Sequence, residues 1–300
     1  HTKHAKAGPL VVNVLEIDLT NPQYRLESYR PSGLVKTSQQ AIENTSRGHT
    51  VIAAVNADFF SFKTLLPLGN QVVNGKFALG TKSTRTHVAI DEQNKVYFEQ
   101  LSFKGFGLHR GQRWEIDGVN RNRSSHETVF FNSFWGPATD SDTLGVKLVV
   151  RLAGTRWAAN DTMIFVVLSR SAEGTALIPD DGGVLAASMD FGGVGVNDTL
   201  RMFLGFSAFG RSISQVLGGA GRILESGKDV TEANVEQEGL VRKFLTDKHP
   251  RTFVGSNRDT TRVFLCTVDG RQAASVWMQF NEMAKFLVSL GSWNAINLDG

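Results

Sequence analysis

Residues 261–300 carry the pattern that most limits the fold: strand, helix, strand, with a carboxylate at each strand end. Thr261-Arg-Val-Phe-Leu-Cys-Thr-Val268 alternates toward a buried face and ends at Asp269-Gly270-Arg271. Trp293-Asn-Ala-Ile-Asn-Leu-Asp-Gly300 reads as a short buried strand that delivers Asp299 into a glycine turn. Between them Phe280, Met283, Ala284 and Leu287 recur at helical spacing, and Gly291 stands where a helix C-cap is expected. As a right-handed crossover with parallel strands, the unit points both strand ends to one edge of a sheet. Asp269 and Asp299 then share a crevice of the kind in which open α/β sheets bind ligands. An Asp before Gly also makes turns by bonding its own backbone, so spacing alone leaves both roles open.

The rest of the chain is read the same way. Leu10–Asp18 is a strand by composition, ending at Asn21-Pro22. Thr37-x-x-Gln40 fits a capping box for a helix to Arg47, closed by Gly48. Val51-Ile-Ala-Ala-Val55 is an apolar run short enough for a fully buried strand, with Asn56 and Asp58 emerging at its end. From Val72 to Leu101 short strands alternate, with Asn74-Gly75 as a hairpin signal. Residues 106–207 hold alternating runs without a clean helix, Val146–Leu152 and Met163–Leu168 being the clearest strands. Thirty glycines against seven prolines point to many tight turns, hence many strands. The expected fold is α+β (mixed α/β). It is a single domain over 8–300 with a largely mixed β-sheet, helices packed on it and a β-rich elaboration at 106–207. Residues 1–7 form a tail.

Composition excludes several functions. With 41% hydrophobic and 20% charged residues the chain is globular. A net charge of +3 without blocks of like charge gives no footprint for nucleic acid. No stretch reaches the roughly 18 apolar residues of a membrane span. The single cysteine, Cys266, allows no intrachain disulfide and suits a buried filler. The seven histidines show no metal-ligand spacing, and no cofactor is called for. Carboxylates at strand ends are nevertheless ligands that Ca²⁺ or Mg²⁺ would accept. The polar start, His1-Thr-Lys-His-Ala-Lys6, suits a mature form whose signal peptide has been removed, and so a secreted, periplasmic or cell-surface protein.

Five motifs in order resemble the phosphodiester glycosidase family. They are Val55-Asn-Ala-Asp-Phe-Phe60, Leu68-Gly-Asn-Gln-Val-Val73 and Leu217-Gly-Gly-Ala-Gly-Arg-Ile-Leu224. His249-Pro-Arg-Thr252 with Val268-Asp-Gly-Arg-Gln272 follows, and then Asn294-Ala-Ile-Asn-Leu-Asp-Gly300. The bacterial type is favoured, because the cysteine-rich appendage of animal members is absent. The resemblance implies hydrolysis of a sugar-1-phosphodiester, such as N-acetylglucosamine-1-phosphodiester, to free sugar and a phosphomonoester. It implies Asp269 and Asp299 as catalytic carboxylates, and Arg251 with Thr252 as a phosphate clamp, since guanidinium binds phosphate oxygens in a fork. Asn56 and Asn70 suit sugar hydroxyls. Asn297 faces the same side as Asp299 by the period of two, and Gly300 presents backbone N–H to an anion. Asp58 departs from the pattern, because relatives often carry Gly there.

Two other readings use the same residues. One is a metal-assisted phosphodiesterase that breaks P–O with the aspartates as ligands. The other is a non-catalytic surface module that binds phosphoglycans. In the family, more glycines and a Ser/Thr pair follow the Asn-Leu-Asp-Gly motif, and such a turn would act as an anion nest. A form extended through that turn is expected to release sugar faster than the 300-residue form, because each well-aimed donor is worth about 10²–10³ in rate. Side-by-side turnover assays check this, and equal rates would make the turn merely structural.

Overall fold

A computed structural model of the chain describes residues 2–5, 8–31, 33–46, 50–140, 145–207, 209–247, 249–270, 275 and 277–300. It is mostly β, 42% strand and 11% helix, an α+β protein with few helices. The chain forms two compact units where the sequence suggests one domain. The first comprises residues 1–69, 84–100 and 216–300; the second comprises 70–83 and 101–215. The expected elaboration at 106–207 falls wholly inside the second unit.

The first unit is built on a seven-stranded sheet, whose strands are numbered here by their order along the chain. They are β1 (Thr2–Ala5), β2 (Gly8–Asp18), β16 (Arg222–Glu225), β17 (Lys228–Asp229), β18 (Arg251–Ser256), β19 (Arg262–Val268) and β20 (Asn294–Leu298), in the order β1-β2-β19-β18-β20-β16-β17. Every neighbouring pair is antiparallel, not mixed as expected. Residues 2–5, expected in a tail, pair with Gly8–Val11 instead. The polar Thr-Lys-His-Ala segment joins through backbone hydrogen bonds, which an apolar pattern cannot reveal.

Helix α4 (Phe280–Ser289) follows β19 and leads into β20. It starts with the Glu282 carboxylate accepting from Gln279 N–H at 2.9 Å and is followed by Gly291 at φ +82°. Its Phe280, Met283, Ala284 and Leu287 are buried against Phe253, Phe264, Cys266 and Ala295 of the sheet. The short helices α2 (Thr231–Gln237) and α3 (Lys243–Thr246) add Val235 and Leu245 to this core. The hairpin β5 (Thr86–Ile90) and β6 (Val96–Gln100) covers the opposite face, where Val88 and Phe98 join Val254, Ile296 and Leu298. Helix α1 (Thr37–Ser46) forms where expected, but Gln40 N–H donates to Lys36 O and the Gln40 side chain to Val35 O, rather than closing a box with Thr37. Gly48, its expected cap, lies outside the described residues. The expected strand at 51–55 does not form: no ladder includes it and Ile52 is 69% exposed. An apolar run becomes a strand only where a sheet edge is available to it.

The second unit holds an eight-stranded sheet, ordered β8-β7-β14-β12-β11-β13-β10-β9. Its strands are β7 (Phe103–His109), β8 (Gln112–Ile116), β9 (Gly118–Val119), β10 (Val129–Phe131), β11 (Val146–Leu152), β12 (Asp161–Ser171), β13 (Gly182–Ala187) and β14 (Thr199–Phe206). Only β9 and β10 pair parallel among those described. A hairpin of β3 (Gln71–Val73) and β4 (Lys76–Leu79) turns on Asn74 and Gly75, both at positive φ, as its sequence signals. Strand β15 (Gln215–Gly218) carries the chain from this unit back into the first.

Glu238, just after α2, fastens three parts of the first unit. It is 3% exposed and accepts from Thr86 N–H at 3.2 Å, Thr86 Oγ1 at 2.6 Å, Gly221 N–H at 2.8 Å and Arg222 N–H at 3.3 Å. Removing the carboxylate strands buried donors, at about 1–3 kcal/mol each. Glu238→Ala is therefore expected to lower stability by about 3 kcal/mol or more in urea unfolding, with Glu238→Gln milder. A loss below about 1 kcal/mol for the Ala variant would show that the fastening is dispensable.

Candidate active site

The crossover reading of residues 261–300 survives in altered form. Because β18 lies antiparallel to both β19 and β20, those two run parallel to each other with β18 between them. Val268 pairs with Arg251, and Leu298 with Thr252, so Asp269 and Asp299 leave the sheet at one edge. Two strand spacings separate their chain paths by about 10 Å. Asp269 is exposed. Its N–H donates to Val11 O at 3.2 Å and its carbonyl accepts from Ser275 Oγ. Arg271 and Gln272 lie outside the described residues.

Asp299 is tied to a second segment. Its N–H donates to Ala57 O at 2.8 Å, and Asn56 Nδ2 donates to the Asp299 carbonyl. Asn56 Oδ1 accepts from Thr252 Oγ1 at 2.6 Å. One amide thus joins β18, the end of β20 and residues 56–58. The Asp299 carboxyl is half-buried and pushed up by that burial, against a 3.0 Å bond from Gly300 N–H to Oδ1. Gly300 itself passes so close to Pro250 that an added Cβ would stand 2.0 Å from its carbonyl oxygen.

The same tether brings up Asp58. Gly69 N–H donates to its Oδ2 at 2.6 Å, while Oδ1 is buried with no hydrogen-bond partner. Gly218, from the glycine turn, leaves the carboxyl its space: a Cβ there would lie 2.3 Å from Oδ2. A Cβ on Gly69 would meet Asp58 Oδ2 at 2.9 Å and His87 Nε2 at 3.0 Å. Burial pushes the Asp58 carboxyl up to about 7, more than the Gly69 bond and the Arg85 charge pull it down, and the Asp299 charge adds to the rise. His87 is wholly buried with Nδ1 2.8 Å from Arg85 O, and burial pushes it down to about 4. Its imidazole is neutral at pH 7.

The remaining expected residues separate. Arg251 and Thr252 lie on opposite faces of β18, as consecutive strand residues must. The Arg251 guanidinium donates to Phe244 O at 2.9 Å, Asp247 O at 2.8 Å and Met278 O at 3.4 Å, and stacks over Phe280 and Phe244. It is 3% exposed, and burial pushes it down to about 10. That environment is a structural clamp on α3 and α4. Asn297 is fully buried, donating to Ala220 O at 3.1 Å, with Oδ1 buried and without a partner. Asn70, in the second unit, accepts from Thr81 N–H at 2.7 Å and donates to Leu101 O at 2.8 Å, both amide groups engaged by backbone.

Sequence reasoning did not select Arg85, His87 or Asp58 as site residues. Asp58 emerges beside Asn56 but departs from the family pattern, and Arg85-Thr-His87 sits without a local period at the mouth of a buried strand. The detectable signal was a polar Arg-x-His immediately before the apolar Val88-Ala-Ile90 run. Among the described residues no three of His, Cys, Asp and Glu group as a metal site.

Over residues 154–300 the chain carries the sequence pattern of the phosphodiester glycosidase family. This stretch holds Gly218, Arg251, Asp269, Asn297 and Asp299, whereas Asn56, Asp58 and Asn70 precede it. None of the curated proteins matches the chain. The fold is similar to the crystal structure of a hypothetical protein from Synechocystis, with TM-score 0.74 and 20% identity over 100% of this chain and 55% of that one. This chain therefore spans about half of that protein's length. It is also similar to an exported-protein candidate of Burkholderia pseudomallei, with TM-score 0.66 and 21% identity over 98% of this chain and 68% of that one. A third likeness is to the catalytic domain of zebrafish N-acetylglucosamine-1-phosphodiester alpha-N-acetylglucosaminidase, auto-inhibited by its pro-peptide. There the TM-score is 0.42 with 15% identity, over 100% of this chain and 68% of that one.

The geometry of Arg251 gives a prediction. Arg251→Lys keeps charge but cannot reproduce the planar set in which Nη2 donates to the Phe244 and Asp247 carbonyls while Nε donates to Met278 O. Stability is expected to fall by about 1–3 kcal/mol, with KM for a sugar-1-phosphodiester unchanged in the folded variant. A raised KM at unchanged stability would return Arg251 to the phosphate.

Proposed function

We propose that the chain is a glycoside hydrolase that cleaves the C1–O bond of a sugar-1-phosphodiester, such as N-acetylglucosamine-1-phosphodiester. The observation that carries this reading is the Asp58–Asp299 pair. Two carboxyls, both pushed up by burial, are held at one strand end in a chain with the phosphodiester glycosidase pattern over 154–300. Such carboxyl pairs serve an oxocarbenium-like transition state. Asp299 is the carboxylate that faces C1, with Asn56 and Thr252 holding its strand end and the buried Asn297 bracing the same strand against Ala220.

When C1–O breaks, its electron pair stays on the phosphate oxygen and yields the phosphomonoester. Water supplies the new C1 hydroxyl and gives up one proton. This leaving group is weakly basic, so it needs charge and N–H donors more than a strong acid. Arg85, whose charge is felt at Asp58, is the group we assign to it. Asp269 is the outer carboxylate in this reading, its chain path two strand spacings, about 10 Å, from that of Asp299. The substrate is a phosphoglycan or a smaller sugar phosphodiester met outside the cytoplasm, in keeping with the exported-protein candidate of similar fold.

Hydrolysis in ¹⁸O-water tests the reading. Label is expected in the free sugar, and Asp299→Asn is expected to lower sugar release by about 10³-fold. Label in the phosphate would show P–O cleavage and favour the metal-assisted phosphodiesterase. Glycan binding without turnover, indifferent to Asp299→Asn, would favour a binding module.

A further inference from the structure

The surroundings of Asp58 suit a neutral acid. Gly69 N–H engages only Oδ2, and no donor reaches the buried Oδ1. An anion there would lean on backbone N–H groups alone, Gly69 and Phe59, with the buried Oδ1 left without a partner, and burial of such a group favours the protonated form. Gly218 and Gly69 crowd the carboxyl from two sides, so it has little freedom to turn away. Each element packed against it brings an identifiable charge or none. Its own segment gives the Phe59 N–H, and the residues before β5 give Arg85. Strand β5 gives the neutral His87, the end of β20 gives Asp299, and the glycine turn gives no charge. Arg85 can balance one carboxylate but not two.

We propose that Asp58 is a positioning residue acting through Asp299. Its proton keeps the pair at a single negative charge, which Arg85 balances; losing that proton makes the pair doubly negative, one charge more than Arg85 offsets, and closes the site to phosphodiester anions. This rests on the phosphodiester reading above. The sign follows from the chemistry. A phosphodiester is a monoanion across the neutral range, so its own charge does not change, whereas the site gains one negative charge as Asp58 ionises. With Asp58 titrating near 7, the site is open below that pH and closes above it. In the open state Asp299, half-buried and bonded by the Gly300 N–H, carries the charge for C1, while the more deeply buried Asp58 stays neutral. Environments that push two neighbouring carboxyls apart in this way set their separate roles.

The experiment uses dimethyl phosphate, whose charge is constant over the range, and follows its binding to the 300-residue protein by NMR. Between about pH 6 and about pH 8.5 its affinity is expected to fall tenfold or more. The limit is about 30-fold if only the protonated form binds. Asp58→Asn, neutral at every pH, is expected to bind at both with less than about a twofold difference. A parent protein whose affinity falls less than tenfold, or a folded Asn variant that keeps the parental fall, overturns the proposal. A readout without any variant is the ¹³C titration of the Asp58 carboxyl. Bound dimethyl phosphate is expected to move its midpoint upward by the same factor, by reciprocity of linkage, and an unmoved midpoint overturns the proposal. Sugar release, assayed separately, distinguishes the two claims. Release with a flat binding profile keeps the glycosidase and removes the gate; a steep profile without release keeps the gate and removes the glycosidase.

Discussion

Strand β18 is buried at all six of its residues and is hydrogen-bonded along both edges. Most of the first unit follows from that placement. A central antiparallel strand forces its two neighbours to run the same way, so the chain needs a crossover, α4, to return from one to the other. The crossover covers one face with Phe280, Met283 and Leu287, and the β5–β6 hairpin covers the other. With both faces apolar, polar chemistry is confined to the strand ends. There Thr252 and the Asp299 backbone meet a single amide, Asn56.

The electrostatics of that corner come from geometry more than from partners. Asp58 and Asp299 are raised chiefly by loss of water, and the Asp299 charge adds a lesser rise at Asp58. His87 is lowered by the same cause. Arg251, one residue from the tether, shows how hydrogen bonds to three carbonyls let a charged group remain in a dry interior. Its Nη2 donates to two carbonyls, its Nε to a third, and its plane lies over a pair of aromatic rings. Position on the strand, not residue type, separates the group that can meet a ligand from the group that holds the core together.

Much of this was legible in the sequence wherever a short-range period governed the outcome. The helix at 280–289, the strands before Asp269 and Asp299 and the Asn74-Gly75 hairpin all follow local rules. The insertion of β18 between β19 and β20 was not legible, because a crossover pattern does not say how many strands it passes over. The run at 51–55 failed as a strand for a related reason: hydrophobicity reports a wish for burial, not a vacant sheet edge. Arg251 and Thr252 could have been separated in advance, since neighbours on a strand cannot both face one ligand. Asp58, Arg85 and His87 meet across distances in sequence that no local pattern encodes.

At its far edge the seven-stranded sheet ends in β17, a strand of only two exposed residues, Lys228 and Asp229. It is reached through a tight turn with Ser226 and Gly227 both at positive φ, and the Trp293 ring lies 2.9 Å from where a Cβ on Gly227 would be. A longer apolar rim would present a row of open donors and acceptors to any extended chain nearby. This one gives a passing strand almost nothing to zip onto, and the lysine and aspartate hold water at the border. The feature bears on crowding: on this side, a sheet otherwise rich in buried Val, Ile and Phe is protected from recruiting further strands into a fibre.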